Sequence, residues 1–472
     1  MKKVSNKILI IGLIVIGLIF AFPSMMYLKN FNSIDGYRGT LYYFIHNNEL
    51  LYSILGAIIF AILLTLSFLI YFKLIKNSNK FTIKNILLCV LIVGFAFLIA
   101  LPNTSTDVFY YMGTGRVLEE YGQNPYYFSI NDVLKVNSED IILRNSGPWM
   151  DETVVYGPLW VIICFIFNKI CFGSATLLLY IFKLSALIFH VFNCYLIYKI
   201  TKKKKFAIMY GFNPLVLLEF LINAHNDIYL VFFVLLAIYF LKNKKNIWLA
   251  LVMLAISVGI KHLTLILVPI LVLYYLQGKK TSEKLIWITV YAVFFLILLY
   301  IMYIPFINSA LDIFSIIAGQ QSKAKDSIYL VLFVLLQNDL VVSVVFSTMI
   351  FVFGYYYIIT ILKLFMRDYN FRKTMQTISW MLLILIFGVL TNIGSWYLSW
   401  LFISLYWLKG KDIKLILWIQ FLYELTYAYL YLWHTDSYNY TVIIIPTLLI
   451  GVLIRMIYLK MKNKRKLMIK NN

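Results

Sequence analysis

The sequence predicts an all-α, polytopic transmembrane helix bundle, and three observations predict it. Of the 472 residues, 62% are hydrophobic and only 13% are charged, whereas about a quarter of the residues in a soluble domain are charged. The apolar residues occur in long runs. The lysines and arginines cluster in alternate polar segments between these runs, which is typical of membrane topology. The net charge of +22 therefore indicates a lipid bilayer rather than a nucleic-acid partner.

The apolar runs follow one another along the chain, and several are too short to cross a bilayer upright at about 1.5 Å per residue. The runs cover residues 8–28, 50–72, 85–102, 175–200, 206–222, 228–241, 247–260, 263–277, 285–304, 340–365, 376–391, 396–408, 413–432 and 441–460. We therefore predict about 12–14 spans, with short helices paired inside one bundle. Residues 1–472 are expected to form a single integral membrane domain, and residues 461–472 a basic cytoplasmic tail.

The first apolar run follows Lys2, Lys3 and Lys7, a pattern that is similar to a signal peptide. The run continues to Leu28, which is longer than the hydrophobic region of a signal peptide, and it has no small-residue cleavage site. We therefore expect it to be a retained first helix.

The basic clusters predict the orientation of the chain. They lie at residues 2–7, 73–84, 199–205, 242–245, 279–284, 363–373, 409–414 and 455–470. All of them fall on one side if the spans alternate, and the positive-inside rule assigns that side to the cytoplasm. We therefore expect a plasma-membrane protein with both termini in the cytoplasm and an extracytoplasmic active site. If the run at 156–171 crossed the membrane fully, every later basic cluster would lie outside the cell. We therefore interpret this run as a re-entrant or interfacial helix.

The polar segment at residues 103–158 is predicted to be a large extracytoplasmic first loop, and it contains a large share of the 20 acidic residues. Asp107 follows a Ser/Thr run at the outer end of a predicted span. A carboxylate at the mouth of a membrane cavity could act as a general base toward a hydroxyl, or hold a divalent cation. The ordinary alternative is a helix N-cap, because Asp and Thr favour that position.

A second polar group interrupts the apolar runs that follow. Asn223-Ala-His-Asn-Asp227 joins two short runs and could present His225, Asn226 and Asp227 to a cavity, or could simply form a turn. Glu219 lies within an apolar run, where a carboxylate needs a partner or a proton. Lys261 and His262 also interrupt an apolar run, and they could meet a phosphate. Alternatively, Lys261 could form a salt bridge with Asp227 or Glu219.

Aromatic residues cluster at the predicted outer end of a late run. Trp396, Tyr397 and Trp400 could form an interfacial belt or a platform on which a sugar stacks. The sequence contains no glycine-rich phosphate loop, no GxSxG elbow and no HExxH motif, so it does not indicate nucleotide-driven chemistry on the inner face.

Three blocks of residues carry a resemblance to a known family. The first contains Asp107, Tyr110, Gly115-Arg116, Gly122, Asn124-Pro125-Tyr126 and Tyr156-Gly157-Pro158. The second contains Asn213-Pro214-Leu215, Glu219 and the Ala-His-Asn-Asp of residues 224–227, and the third Trp396-Tyr397 and Trp400. In this order they resemble the GT-C glycosyltransferases, and most closely the bacterial polyprenol-phospho-mannose-dependent mannosyltransferases.

The resemblance implies a sugar donor carried on a polyprenyl phosphate, inverting transfer outside the membrane, and a catalytic aspartate in the first large outer loop, here Asp107. Lys261, His262 and Arg144 are candidates for binding the lipid phosphate from their chemistry. The residues that we predict to bind substrate are Tyr110, Arg116, Asn124, Tyr126, Arg144, Tyr156, Glu219, His225, Asn226, Asp227, Lys261, His262, Trp396 and Tyr397. The family's paired-acid motif is replaced here by Thr106-Asp107, so the use of a divalent cation as cofactor stays open.

The sequence thus predicts a membrane glycosyltransferase that moves a hexose, mannose by resemblance, from a polyprenyl-phosphate donor to an extracytoplasmic cell-envelope glycan or glycolipid. One alternative is a transporter or flippase of lipid-linked sugars, because broken helices and intramembrane charges are also found in transporters. The other is a structural partner of a polymerase that binds lipid-linked glycan without chemistry.

Overall fold

The structure is a computed structural model, and it describes residues 5–27, 50–309, 311–318, 336–390 and 394–431. Within these ranges every regular element is a helix and there is no strand. The prediction of an all-α bundle is confirmed. The last predicted run and the tail at 461–472 lie outside the described residues.

Eighteen α-helices follow one another in the described ranges, joined by short 3₁₀ and π turns. They are α1 (Asn6–Tyr27), α2 (Leu50–Lys76), α3 (Ile83–Leu98), α4 (Asp107–Glu119), α5 (Ile130–Leu134), α6 (Ile141–Arg144), α7 (Pro158–Ile170), α8 (Ala175–Thr201), α9 (Lys204–Gly211), α10 (Pro214–Val216), α11 (Asp227–Tyr239), α12 (Ile247–Ile260), α13 (Leu267–Tyr275), α14 (Thr281–Tyr303), α15 (Asp312–Ala318), α16 (Asp339–Met366), α17 (Phe371–Gly388) and α18 (Gly410–Leu425).

Several of these helices are long and apolar enough to cross a membrane. Four helical segments of the described residues meet this test: Ile54–Lys76, Ala175–Thr201, Thr281–Phe306 and Leu340–Met366. A fifth span forms if the bent pair Lys204–Gly211 and Pro214–Ile222 counts as one. The remaining apolar helices are shorter, which agrees with the prediction that short helices pair inside the bundle.

The bent pair of helices leads into the segment that carries His225. Its two halves meet at 47°, because Asn213 caps the second half by accepting from the Val216 N–H at 3.3 Å, and Pro214 cannot continue a helix from before it. A π turn at Leu217–Ile222 follows, and such turns are frequent at functional sites. Ala224 then adopts a positive φ of 57°, which reverses the chain just before His225.

Two glycines of the first block let segments of backbone approach closely. A Cβ on Gly115 would collide with the backbone of Cys164, so α4 packs directly along α7. A Cβ on Gly157 would collide with the backbone of Gly259, and the Gly157 N–H donates to the Ile260 carbonyl at 3.0 Å. The second approach places Tyr156 beside Lys261, at the C-terminal end of α12.

Helix α7 carries the run that we predicted to be re-entrant or interfacial. It contains 13 residues, which is about 20 Å of helix and less than the roughly 30 Å of a hydrocarbon core. The helices in two predicted spans, α12 and α13, are about as short, so the re-entrant or interfacial position of α7 stays a prediction.

Candidate active site

Asp107 is the first residue of α4, and its side chain is 16% exposed. Thr106 occupies the N-cap position and makes no side-chain capping bond, so capping does not explain the acid at 107. The Tyr156 hydroxyl donates to Asp107 Oδ2 at 3.5 Å. Burial raises the pKa of Asp107 above its ordinary value, with Asp227 and Glu219 adding to the rise, although the charges of His225 and Lys261 oppose it. Such a carboxyl is suited to proton transfer.

His225 lies fully buried between two carboxylates. Its Nδ1 is 3.6 Å from Asp107 Oδ2, and its Nε2 is 3.0 Å from Glu219 Oε2. The ring of Trp396 stacks on the imidazole with a centroid distance of 4.0 Å and an interplanar angle of 20°. The imidazole is therefore held in one plane, facing an acid on each side.

Glu219 is fully buried in the π turn, and polar groups surround its carboxylate. The Ser395 hydroxyl donates to Oε1, and the Asn223 amide donates to Oε2 at 3.1 Å. The Asn223 amide also donates to Thr104 Oγ1 at 2.6 Å. This link ties the segment before Asp107 to the segment before His225.

Lys261 and Asp227 form the second charged pair of the site. The ammonium of Lys261 donates to Asp227 Oδ1 at 3.0 Å and to Oδ2 at 3.1 Å, and the Trp400 indole donates to Oδ1 at 2.6 Å. The same ammonium lies 4.4 Å from the centre of the Tyr397 ring. The structure therefore selects Asp227 from the two salt-bridge partners that the sequence left open for Lys261.

Tyr156 connects the two charged groups. Its hydroxyl reaches Asp107, and its ring centre lies 6.0 Å from the Lys261 ammonium. Asn226 lies next to both groups in the chain. Its side chain is fully buried, and among the described residues neither of its amide atoms has a hydrogen-bond partner. A buried amide normally finds a partner, so the Asn226 amide is a candidate to bind a ligand at this site.

Other predicted site residues lie in the loop around this centre. The Tyr110 hydroxyl donates to the Glu152 carbonyl at 3.0 Å, and the Tyr126 hydroxyl donates to the Tyr156 carbonyl at 2.8 Å. Asn124 donates to the Phe306 carbonyl at 2.8 Å. These three contacts support the loop that carries Tyr156.

Three predicted cationic residues are paired elsewhere. Arg116 lies toward the end of α4 and donates to Asp140 at 2.9 Å. This contact, with a backbone N–H and the Tyr121 hydroxyl, lowers the pKa of Asp140 even though burial would raise it. Arg144 Nη2 lies 3.4 Å from exposed Glu139, and His262 bonds the Tyr303 hydroxyl. None of these contacts links Arg116, Arg144 or His262 directly to Asp107.

Sequence reasoning missed two residues of the site. Ser395 was overlooked because a serine beside tryptophans carries no signal by itself. Lys183, on α8, was overlooked although a lone lysine inside the apolar run at 175–200 is a signal of intramembrane function. Glu424, on α18, is also fully buried and lies near Glu219 and Ser395.

The sequence leaves open whether the protein uses a divalent cation as cofactor. Among the described residues there is no group of three or more His, Cys, Asp or Glu side chains placed to hold a metal ion. The mechanism that we propose for this protein uses only its own side chains.

The fold and the site together define a class: an all-α membrane protein with a buried cluster of carboxylates, an imidazole and a lysine where its helices break. The comparison with known families makes this specific. Residues 25–277 match the model of the MptA_B family, described as alpha-(1->6)-mannopyranosyltransferase, N-terminal domain, and the chain belongs to this family. The resemblance to mannosyltransferases is confirmed. The match includes Asp107, Glu219, His225 and Lys261. No curated protein and no solved structure matches the chain.

Proposed function

We propose that the protein transfers mannose from a polyprenyl-phosphate donor to a hydroxyl of an extracytoplasmic cell-envelope glycan or glycolipid. The observation that carries the proposal is the position of Asp107, a carboxyl with a raised pKa beside His225 at the start of α4. Family membership supports glycosyl transfer as the reaction. The donor, the acceptor and the side of the membrane are parts of the proposal.

The reaction needs one base and one neutralised leaving group. The Asp107 carboxylate accepts the proton of the acceptor hydroxyl, and the hydroxyl oxygen forms a bond to the anomeric carbon of the donor sugar. The bond from that carbon to the phosphate oxygen breaks on the opposite face, and the electron pair leaves with the polyprenyl phosphate. The products are an inverted glycoside and the lipid monophosphate, and the proton remains on Asp107 until solvent removes it.

Lys261 is the residue best placed to face the leaving phosphate. Its side chain is 12% exposed, and its ammonium has three N–H donors, of which the two oxygens of Asp227 accept two. A cation beside the departing phosphate stabilises the charge that develops there. We propose that the polyprenyl tail lies between helices while its phosphate approaches Lys261.

The sugar is proposed to bind next to Asn226 and the aromatic rings. Trp396 and Tyr397 are both partly exposed, and their ring centres lie 5.5 Å apart. The unpartnered amide of Asn226 offers a donor and an acceptor to sugar hydroxyls. Trp396 also supports His225 by stacking, so it would connect the sugar to the acid–base pair.

One structural observation also fits the transporter alternative. A bent helix pair with polar residues at its break, as at residues 204–222, is also found in transporters of charged substrates. Purified protein in lipid nanodiscs, given a polyprenyl-phosphate [¹⁴C]mannose and mannosyl saccharides, should yield labelled saccharide. Asp107→Asn should not. In liposomes, movement of the donor between leaflets without labelled product would overturn the proposal in favour of the transporter.

A further inference from the structure

Lys183 lies fully buried on α8, inside the bundle beneath the site. Its ammonium donates to three backbone carbonyls: Ala100 at 2.7 Å, Leu221 at 2.7 Å and Ile222 at 2.5 Å. These three hydrogen bonds all go to the backbone and none of them to a carboxylate. Its environment therefore consists of carbonyl oxygens, as in the coordination sphere of a bound monovalent cation.

The number of acceptors determines the form of the side chain. A neutral lysine amine has two N–H donors, whereas an ammonium has three. The three carbonyl acceptors within hydrogen-bond distance therefore match the three donors of the ammonium. The charge is offset by helix ends, because Ala100 follows the end of α3 and Leu221 and Ile222 end the π turn. The carbonyl end of a helix carries partial negative charge.

Both helix ends lead directly into the proposed active site. The segment after Ala100 carries Asp107, and the segment after Ile222 carries His225. Above Lys183 the same two segments are linked again by the bond from Asn223 to Thr104. Lys183 thus joins the two segments at one level, and the Asn223 side chain joins them at another through Thr104 Oγ1 and the backbone N–H groups of Asn103 and Thr104.

We propose that Lys183 is a positioning residue whose ammonium acts as a tethered cation, holding the two helix ends at the separation that brings His225 beside Asp107. The proposal rests on the proposed function for its effect on transfer. Its structural part, the cation-dependent joining of the two segments, does not depend on that function.

The test removes the ammonium and then returns it. Lys183→Ala leaves a cavity that matches propylamine, which supplies the three missing carbons and the nitrogen. We expect Lys183→Ala to lower kcat by about 100-fold, as for displacements of about 1 Å at a reacting centre, with a much smaller change in KM. Propylamine should restore most of kcat. Propanol, which has the same shape and no charge, should not.

Two variants complete the design. Lys183→Arg keeps a buried cation and tests whether charge suffices for folding. Lys199→Met, on the same helix, removes an ammonium that stacks on Tyr195 without contacting the site, and should leave kcat unchanged. Amide hydrogen exchange at residues 100–106 and 221–227 should rise in Lys183→Ala and fall again with propylamine.

The outcomes separate the two proposals. If wild-type protein shows no transfer, the proposed function fails, and the exchange experiment alone decides the role of Lys183. If wild-type protein is active and Lys183→Ala keeps both its kcat and its exchange pattern, the tethered cation is overturned. Equal recovery with propylamine and propanol would also overturn it, since filling space would then suffice. Should Lys183→Ala fold only in propylamine and not in propanol, the proposal is supported.

Discussion

Nδ1 of His225 lies 3.6 Å from the carboxylate of Asp107, and Nε2 of the same ring lies 3.0 Å from Glu219. The two acids come from different helical elements, the start of α4 and the π turn before the chain reversal at Ala224. One imidazole thus connects the proposed base to a buried carboxylate that is already bonded to Ser395 and Asn223. The catalytic role proposed for Asp107 depends on its short distance to His225.

Replacement of Asp107 by Asn is expected to abolish sugar transfer while the protein still folds. Asn keeps the shape of the side chain but cannot accept the acceptor's proton, and loss of a general base costs about 10²–10⁴-fold in rate. The measurement is the initial rate of labelled product in nanodiscs. The matched control is Glu139→Gln, because Glu139 is an acid of the same loop that is 85% exposed. Full activity in Asp107→Asn would remove Asp107 from the mechanism.

The rate of transfer is expected to fall on acidification at a pH above the ordinary aspartate range. Asp107 acts only when ionised, and burial raises its pKa, so activity is complete above the raised pKa and is lost as the pH falls through it. Lys261 favours the ionised form and Asp227 opposes it. The acid limb of kcat/KM should therefore move to higher pH in Lys261→Met and to lower pH in Asp227→Asn. Shifts of the opposite sign would contradict this assignment.

A double-mutant cycle at Lys261 and Asp227 is expected to distinguish the contribution of this ion pair to stability from its contribution to catalysis. Lys261→Met leaves a buried aspartate without its cation, which should cost about 3–5 kcal/mol of stability. Lys261→Met combined with Asp227→Asn removes both charges and should recover most of the unfolding temperature. Activity should not recover, because the phosphate still lacks its cation. A double variant with wild-type transfer would show that Lys261 is only structural.

The loop that contains Asp107 is expected to face the outside of the cell. Val136, at 83% exposure, is the reporter position. A cysteine there should react with an impermeant maleimide in intact cells, whereas one at Lys411 should react only after lysis. Cys89, Cys164, Cys171 and Cys194 are buried or half-buried, so the native background should be low. Labelling of Val136→Cys only after lysis would reverse the proposed orientation.

Much of the fold could be predicted from the sequence because hydropathy and helix breaks are local properties. The long apolar runs predict helices. Asn213-Pro214 and the polar group at 223–227 predict breaks between them. The three motif blocks were enough to indicate the mannosyltransferase family. The same local patterns singled out Asp107, His225 and Lys261.

The tertiary structure decided which of those residues meet. The contact of Gly157 with Gly259 brings Tyr156 to Lys261, and the packing of the bundle brings His225 within 3.6 Å of Asp107. Arg116 and Arg144 carry the same charge as Lys261, yet they pair with acids of the loop. Lys183 joins carbonyls that are distant in the sequence. A sequence determines where helices form and break, but proximity depends on how closely their backbones pack, and that is settled only when the whole bundle assembles.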